Sequence, residues 1–301
     1  MDLDRSAVKE LTASVIREGL GFGEGPRWHA GRLWYSDFYR HAIFSMASDG
    51  SDEVLEHEVR TQPSGLGWLP DGDLLCVSMV DQKVLRFHDG EFSTFADVSE
   101  YCEFWANEMI VSPTGYSYVG NFGFDLDARL AELGVERFRA EPPPTTNLVV
   151  LDPEGTVIQV VPGMAFPNGT VITPDGATLI VGETFGRQLS AFDIGADGTL
   201  TNRRVWAPLG VMRSDGMCLD ADGQIWFANP ARRHCVRVRE GGEVTGQVTC
   251  SQTAYACVLG GDDRQTLFVM TGTTSDRFEI ADKTLGRIEA VHVEVAGAGT
   301  P

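Results

Sequence analysis

The chain reads as a six-bladed β-propeller, an all-β fold, for three reasons. Six related hairpins recur along its 301 residues, five of them turn at a glycine-containing tip, and the spacing inside them is constant. Repetition of this kind marks an architecture in which each unit is completed by its neighbours.

The first hairpin is GEGPRWHAGRLWYSD, residues 23–37, and the second is PSGLGWLPDGDLLCVS, 63–78. ANEMIVSPTGYSYVGN (106–121), PNGTVITPDGATLIVGET (167–184), SDGMCLDADGQIWFAN (214–229) and YACVLGGDDRQTLFVM (255–270) follow. Each runs from a small or polar residue through a short apolar strand, turns, and returns through an apolar and aromatic strand. The tips Ala30-Gly31, Asp71-Gly72, Thr114-Gly115, Asp175-Gly176 and Asp222-Gly223 supply the positive φ that tight hairpins need. Eleven residues separate Glu24 from Tyr35, and the same interval holds for Ser64–Leu75, Asn107–Tyr118, Asn168–Leu179, Asp215–Trp226 and Ala256–Leu267. Runs such as AIFSMASDG, KVLRFHDGEF and LSAFDIGADGTL lie between the hairpins and read as outer strands. A strand at Ser14 to Glu18 is expected to pair with the run Ala290 to Val295 and close the ring, because an open edge is a liability. A β-sandwich would not explain six hairpins in one register.

In a propeller the innermost strands line a central channel, and their first residues ring one mouth of it. Glu24, Ser64, Asn107, Asn168, Asp215, and Ala256 or its neighbour Tyr255, are therefore expected to be neighbours in space. Two carboxylates and two amides from four blades converge there, and a hard cation such as Ca²⁺ or Mg²⁺ is the simplest agent to hold them. Zn²⁺ or Mn²⁺ with oxygen ligands stay open.

Bulk properties narrow the function. A formal charge of −19 argues against nucleic acid and against an anionic membrane surface. No run approaches the ~18 apolar residues of a membrane span. The charged start, MDLDRSAVKELTASVIREG, carries no apolar core of a secretory leader. With six scattered cysteines this suggests reduced thiols in a cytoplasm. One propeller domain over 1–301 is expected, as a monomer or small homo-oligomer acting on a small molecule. There is no nucleophile elbow, P-loop, dinucleotide fingerprint or zinc-protease motif.

At EGP (24–26), FPNG (166–169) and SDG (214–216) with its following LDADGQIWFA, the sequence resembles the SMP-30/gluconolactonase/LRE family, also called regucalcin-like. The resemblance covers roughly residues 15–295, with the motifs in order on the expected blades. It implies a six-bladed propeller with one divalent metal in the channel, Ca²⁺ first, and hydrolysis of lactones. It also implies that Glu24, Asn168 and Asp215 ligate the metal and that Asn107 lies at the metal and touches substrate. The family includes phosphotriesterase-like members, and another Lewis-acid reaction or a non-catalytic scaffold are the alternatives. In sugar lactonases the third blade usually opens Arg-Pro-Asn-Asp-Gly, where the arginine holds polar substrate. Here the stretch is Trp105-Ala106-Asn107-Glu108-Met109. An indole offers an apolar wall in place of a cation, which favours a less polar substrate.

Residues 124–146 lengthen the third blade. Leu126, Leu130 and Leu133 are spaced for a short amphipathic helix, and the prolines at 142–144 make a stiff exit. The second strand returns toward the metal mouth, so this segment is expected to form a lid. The same geometry brings Phe122, Phe124, Glu183, Phe185 and Asn229 near the mouth, in the wall or in the layer behind it, and Asn121, Phe122 and Glu183 are expected to touch substrate with Asn107 and Trp105. Asp215 is the expected proton acceptor for an attacking water.

Overall fold

The computed structural model describes residues 8–299 as six four-stranded sheets, one of which carries a fifth strand. Residues 1–7 and 300–301, included in the expected domain, lie outside the described residues. The inner strands are Gly23–His29, Pro63–Trp68, Ala106–Val111, Pro167–Ile172, Met217–Leu219 and Thr253–Gly260, one per expected hairpin. They pack in sequence around the channel, the sixth against the first. The fold is a six-bladed β-propeller.

The five glycine tips carry φ of 77°, 96°, 91°, 70° and 73°, a left-handed region that costs a glycine little. Burial follows from the radial geometry. Five of six apolar clusters each fill the gap between two consecutive blades, such as Leu33 and Phe44 against Phe268 and Met270 between the first and sixth. The remaining one joins the second and third blades and reaches Phe22, Phe38, Tyr255 and Ile280. Stability is thus shared among interfaces of neighbours.

Ring closure is as expected in kind and shifted in register. Ser14–Leu20 pairs antiparallel with Gly286–His292, Ser14 opposite Ala290 and Leu20 opposite Gly286, a few residues before the expected run. Lys9–Thr12 adds an unforeseen parallel fifth strand to Val244–Thr249 of the fifth blade. The N-terminal segment therefore stitches two blades together. Glu53 adds a polar stitch, accepting from Arg17 of the closing strand at 2.7 Å and from Arg40 at 3.2 Å, with the Tyr35 hydroxyl also donating to it.

The lengthened third blade carries a helix, α1 (Leu126–Ala140), longer than the leucine spacing suggested. Asp125 caps it by accepting from Ala128 N at 3.0 Å, and Gly134, at φ 69°, breaks it into two short pieces. The sixth blade carries a four-residue helix, α2 (Arg277–Ile280), also on the mouth side. Among the described residues no helix is long and apolar enough to cross a membrane.

Candidate active site

The inner strands share a defect that builds the site. Pairing with the second strand slips between Glu24 and Arg27, Pro63 and Leu66, Ala106 and Met109, Pro167 and Thr170, and Ala254 and Ala256. Such bulges re-aim a side chain out of the pleat, here into the channel mouth. The fifth blade reaches the same result by starting its strand late, with Asp215 N bonded to Ala228 O at 3.0 Å. In most blades a glycine follows the rim residue, because the next blade passes very close. A Cβ on Gly65 would stand 2.3 Å from Met109 N, and one on Gly169 2.3 Å from Asp215 O.

The rim residues meet as expected. Glu24, Asn107, Asn168 and Asp215 are 8%, 6%, 5% and 8% exposed and line one cavity of about 320 Å³. A hydrogen-bond chain runs around the mouth. Ser64 Oγ donates to Asn107 Oδ1 at 3.2 Å, Asn107 Nδ2 to Asn168 Oδ1 at 3.3 Å, and Asn168 Nδ2 to Thr184 Oγ1 at 3.3 Å. Thr184 Oγ1 passes the chain to Ser214 O at 2.8 Å. The chain fixes both amides, with Asn168 Nδ2 donating to Thr184 and its Oδ1 accepting from Asn107.

The carboxylates are under electrostatic stress. Burial, then Asp215, then Glu108 push Glu24 well above the usual carboxylate range. Burial and Glu108 push Asp215 up to about 8, against the bonds from Asn168 and Gly216 that lower it. Like charges buried at close quarters resist ionising unless a cation joins them. Among the described residues no cluster of three or more histidine, cysteine, aspartate or glutamate is arranged around a metal position. A cation here would therefore need the amide oxygens. Two carboxylates and two amides form an all-oxygen donor set that fits a hard divalent ion.

Above this polar floor the cavity is aromatic. Ten aromatic side chains line it, among them Phe22, Tyr39, Trp105, Phe122, Phe166 and Phe185. Trp105 is half-buried, stacks on Phe104 at 4.8 Å between centroids, and meets Phe122 edge-on at 6.4 Å. Tyr255, not Ala256, is the cavity-lining residue of the sixth blade. Leu126, Leu130, Val135 and Phe138 of α1 reach the cavity, so the lengthened third blade does roof the mouth; Leu133 does not reach it.

Two expected substrate contacts require correction. Asn121 and Glu183 do not line the cavity. Asn121 stands opposite Ala106 and Glu183 opposite Pro167, one residue before the rim position, where side chains serve neighbouring turns. Asn121 accepts from Thr146 Oγ1 at 2.5 Å and donates to Asn147 O at 2.8 Å. Glu183 accepts from Ala165 N and from Arg203 at 2.8 Å each, and from Ser190 at 2.5 Å. Asn229, which accepts from Ala231 N, and Phe124, which packs against Phe166 and Phe185, are not among the lining residues, and Phe124 stands in the layer behind the wall.

Sequence reasoning missed the second half of the roof. Thr274, Ser275, Asp276 and Arg277 line the cavity from the sixth blade. Arg277 clasps the cap of α1, donating to Asp125 at 2.7 and 2.9 Å, and its guanidinium lies 5.1 Å over Trp105. A signal existed: residues 273–285 are too many for a hairpin between two strands. Arg213 and Asp127 also line the cavity, and burial raises the Asp127 carboxyl.

With this geometry the comparisons agree. The SMP-30/gluconolactonase/LRE-like region model matches residues 22–273. The chain belongs to this family. It is 26% identical over 302 residues to a pentonolactonase of Haloferax volcanii, covering 95% of both chains. A calcium-binding protein, regucalcin, of Agrobacterium tumefaciens superposes with a TM-score of 0.78 at 19% identity, covering 98% of both chains. A gluconolactonase of Xanthomonas campestris gives 0.69 at 22% identity, covering 92% of this chain and 89% of that one. The family description and two of these relatives, the pentonolactonase and the gluconolactonase, indicate a function of lactonase type.

Proposed function

We propose that the chain is a divalent-metal-dependent lactonase whose substrate is less polar than a sugar-acid lactone. The observation that carries this is the junction of four buried oxygen side chains from four blades with an aromatic cavity directly above them. Glu24, Asn168 and Asp215 would hold the ion, Ca²⁺ by the donor set, with Asn107 beside it; the ion would supply Lewis acidity to the ester carbonyl. Asn107, held by Ser64 and Asn168, would orient the ring that binds there. Asp215 takes the proton of the attacking water as its oxygen adds to the carbonyl carbon, the acyl C–O bond then breaks, and the leaving alkoxide takes that proton back from Asp215 to give the hydroxy acid. The roof and aromatic walls exclude bulk water and bury the substituent of the ring. Six buried free cysteines support a reducing compartment, as expected for a cytoplasmic enzyme.

The test is hydrolysis of a lactone panel by the Ca²⁺-loaded protein, with an EDTA-treated control. Turnover of alkyl or aryl lactones that EDTA abolishes and Ca²⁺ restores is expected. Turnover indifferent to EDTA would remove the metal from the reaction.

A further inference from the structure

The third blade alone places a charged residue where its neighbours place Gly25, Gly65, Gly169, Gly216 or Ala256. That residue is Glu108, 5% exposed, a third carboxylate in the channel beneath the rim. A buried carboxylate is costly without a partner. Its partner comes from the first blade. Arg27, 6% exposed, donates from Nη2 to Glu108 Oε1 at 3.2 Å and Oε2 at 3.5 Å.

Arg27 is held at every edge. Its Nε donates to Leu66 O at 3.0 Å, Nη1 to Pro26 O at 2.9 Å and Nη2 to Met109 O at 2.6 Å. One guanidinium thus crosses the channel and ties the inner strands of three blades under the site. The carboxylate it holds is not electrostatically remote, since Glu108 acts on both Glu24 and Asp215 after their own burial.

We propose that Arg27 is a positioning residue that sets the charge of the channel floor, and through it the charge of the cation the site selects. Three carboxylates and one guanidinium leave two negative charges, the number a divalent ion neutralises. By gripping Glu108, Arg27 also keeps it from becoming a third carboxylate ligand. This rests on the metal-site reading above.

Two substitutions separate charge-setting from packing because they act in opposite directions. Ca²⁺ and Tb³⁺, a trivalent probe for the same oxygen donors, are titrated into wild type, Arg27→Met, Arg27→Lys and Glu108→Gln, by calorimetry and Tb³⁺ luminescence. Arg27→Met should raise the Tb³⁺-over-Ca²⁺ preference at least about ten-fold, and Arg27→Lys should stay near wild type. Glu108→Gln should weaken Ca²⁺ about ten-fold and Tb³⁺ more, although no ligand is removed. Equal losses in Arg27→Met and Glu108→Gln, or an unchanged ratio in both, would overturn the proposal. If Arg27→Met does not fold, Glu108→Gln decides: unchanged Ca²⁺ affinity overturns it. A wild type that takes up neither ion overturns the metal reading and this inference with it, and the wild-type titration alone reveals that case.

Discussion

The floor and the roof of the cavity are built on opposite plans. The floor is polar, almost wholly buried, and assembled from four blades, three of them by bulges repeated in one register. The roof is aromatic, partly exposed, and assembled from two insertions that do not repeat, joined by the Arg277–Asp125 clasp. Repetition is suited to a fixed constellation, because each blade sets its neighbour's position. Insertions are suited to selectivity, because their length and composition vary without disturbing the ring. Changes in the floor should therefore abolish chemistry, and changes in the roof should redirect it.

The largest effect is expected from Glu24→Gln. Elemental analysis should show metal falling well below one ion per chain, and lactone turnover should drop about 10²–10³-fold. Retained stoichiometric metal would remove Glu24 from the site.

On the roof side, Trp105→Ala should mainly raise KM for apolar lactones. If ~80 Å² of substrate rests on the indole, at ~25 cal/mol per Å² the loss is about 2 kcal/mol, roughly thirty-fold. Trp105→Arg should move preference toward sugar lactones. Kinetics on one alkyl and one sugar lactone checks both, and a wild-type preference for the sugar lactone untouched by Trp105→Ala would reduce the indole to packing.

Replacing residues 125–144 with a Gly-Ser turn removes α1 and the clasp together. The ratio of kcat/KM between the same two lactones should change by about ten-fold, while Tm stays close to wild type, since the blades keep their interfaces. A constant ratio would show that the roof does not select.

The smallest effect concerns a region outside both. Burial raises the Glu53 carboxyl, but bonds from Arg40 and Tyr35 and the charge of Arg17 more than offset it and leave it lowered. A depressed carboxyl contributes stability above its unfolded value, and this is lost as pH falls through the folded one. Glu53→Gln should cost about 1 kcal/mol, near 2 °C in Tm, at pH 7. The gap between the two melting curves should close as pH drops below about 4, the ordinary glutamate range. A gap independent of pH would mean the ion pairs contribute nothing.

What the sequence made legible follows the same division. The eleven-residue interval placed Glu24, Asn107, Asn168 and Asp215 together because a repeat converts sequence register into spatial position. It misled at Asn121 and Glu183, where nearness along the chain was taken for nearness to the cavity; strand pairing turns those side chains toward loops. Arg27 and Glu108 were invisible because their contact joins residues 81 apart in blades that are not adjacent. The Arg277 clasp spans 152 residues and follows no period. Non-repeating contacts leave no trace in a repeat.

Ring closure has a consequence for how the site comes into existence. The strand that completes the sixth blade is contributed by Ser14–Leu20, and its partner Gly286–His292 is the last strand in chain order among the described residues. Glu24 stands in the first blade and Asp215 in the fifth, and the sixth blade spans the gap between them. Until that blade is zipped to the N-terminal strand, nothing fixes the distance between the two carboxylates. A chain with five finished blades carries Glu24, Asn107, Asn168 and Asp215 and still does not hold them together. Closure of the ring and birth of the site are one event.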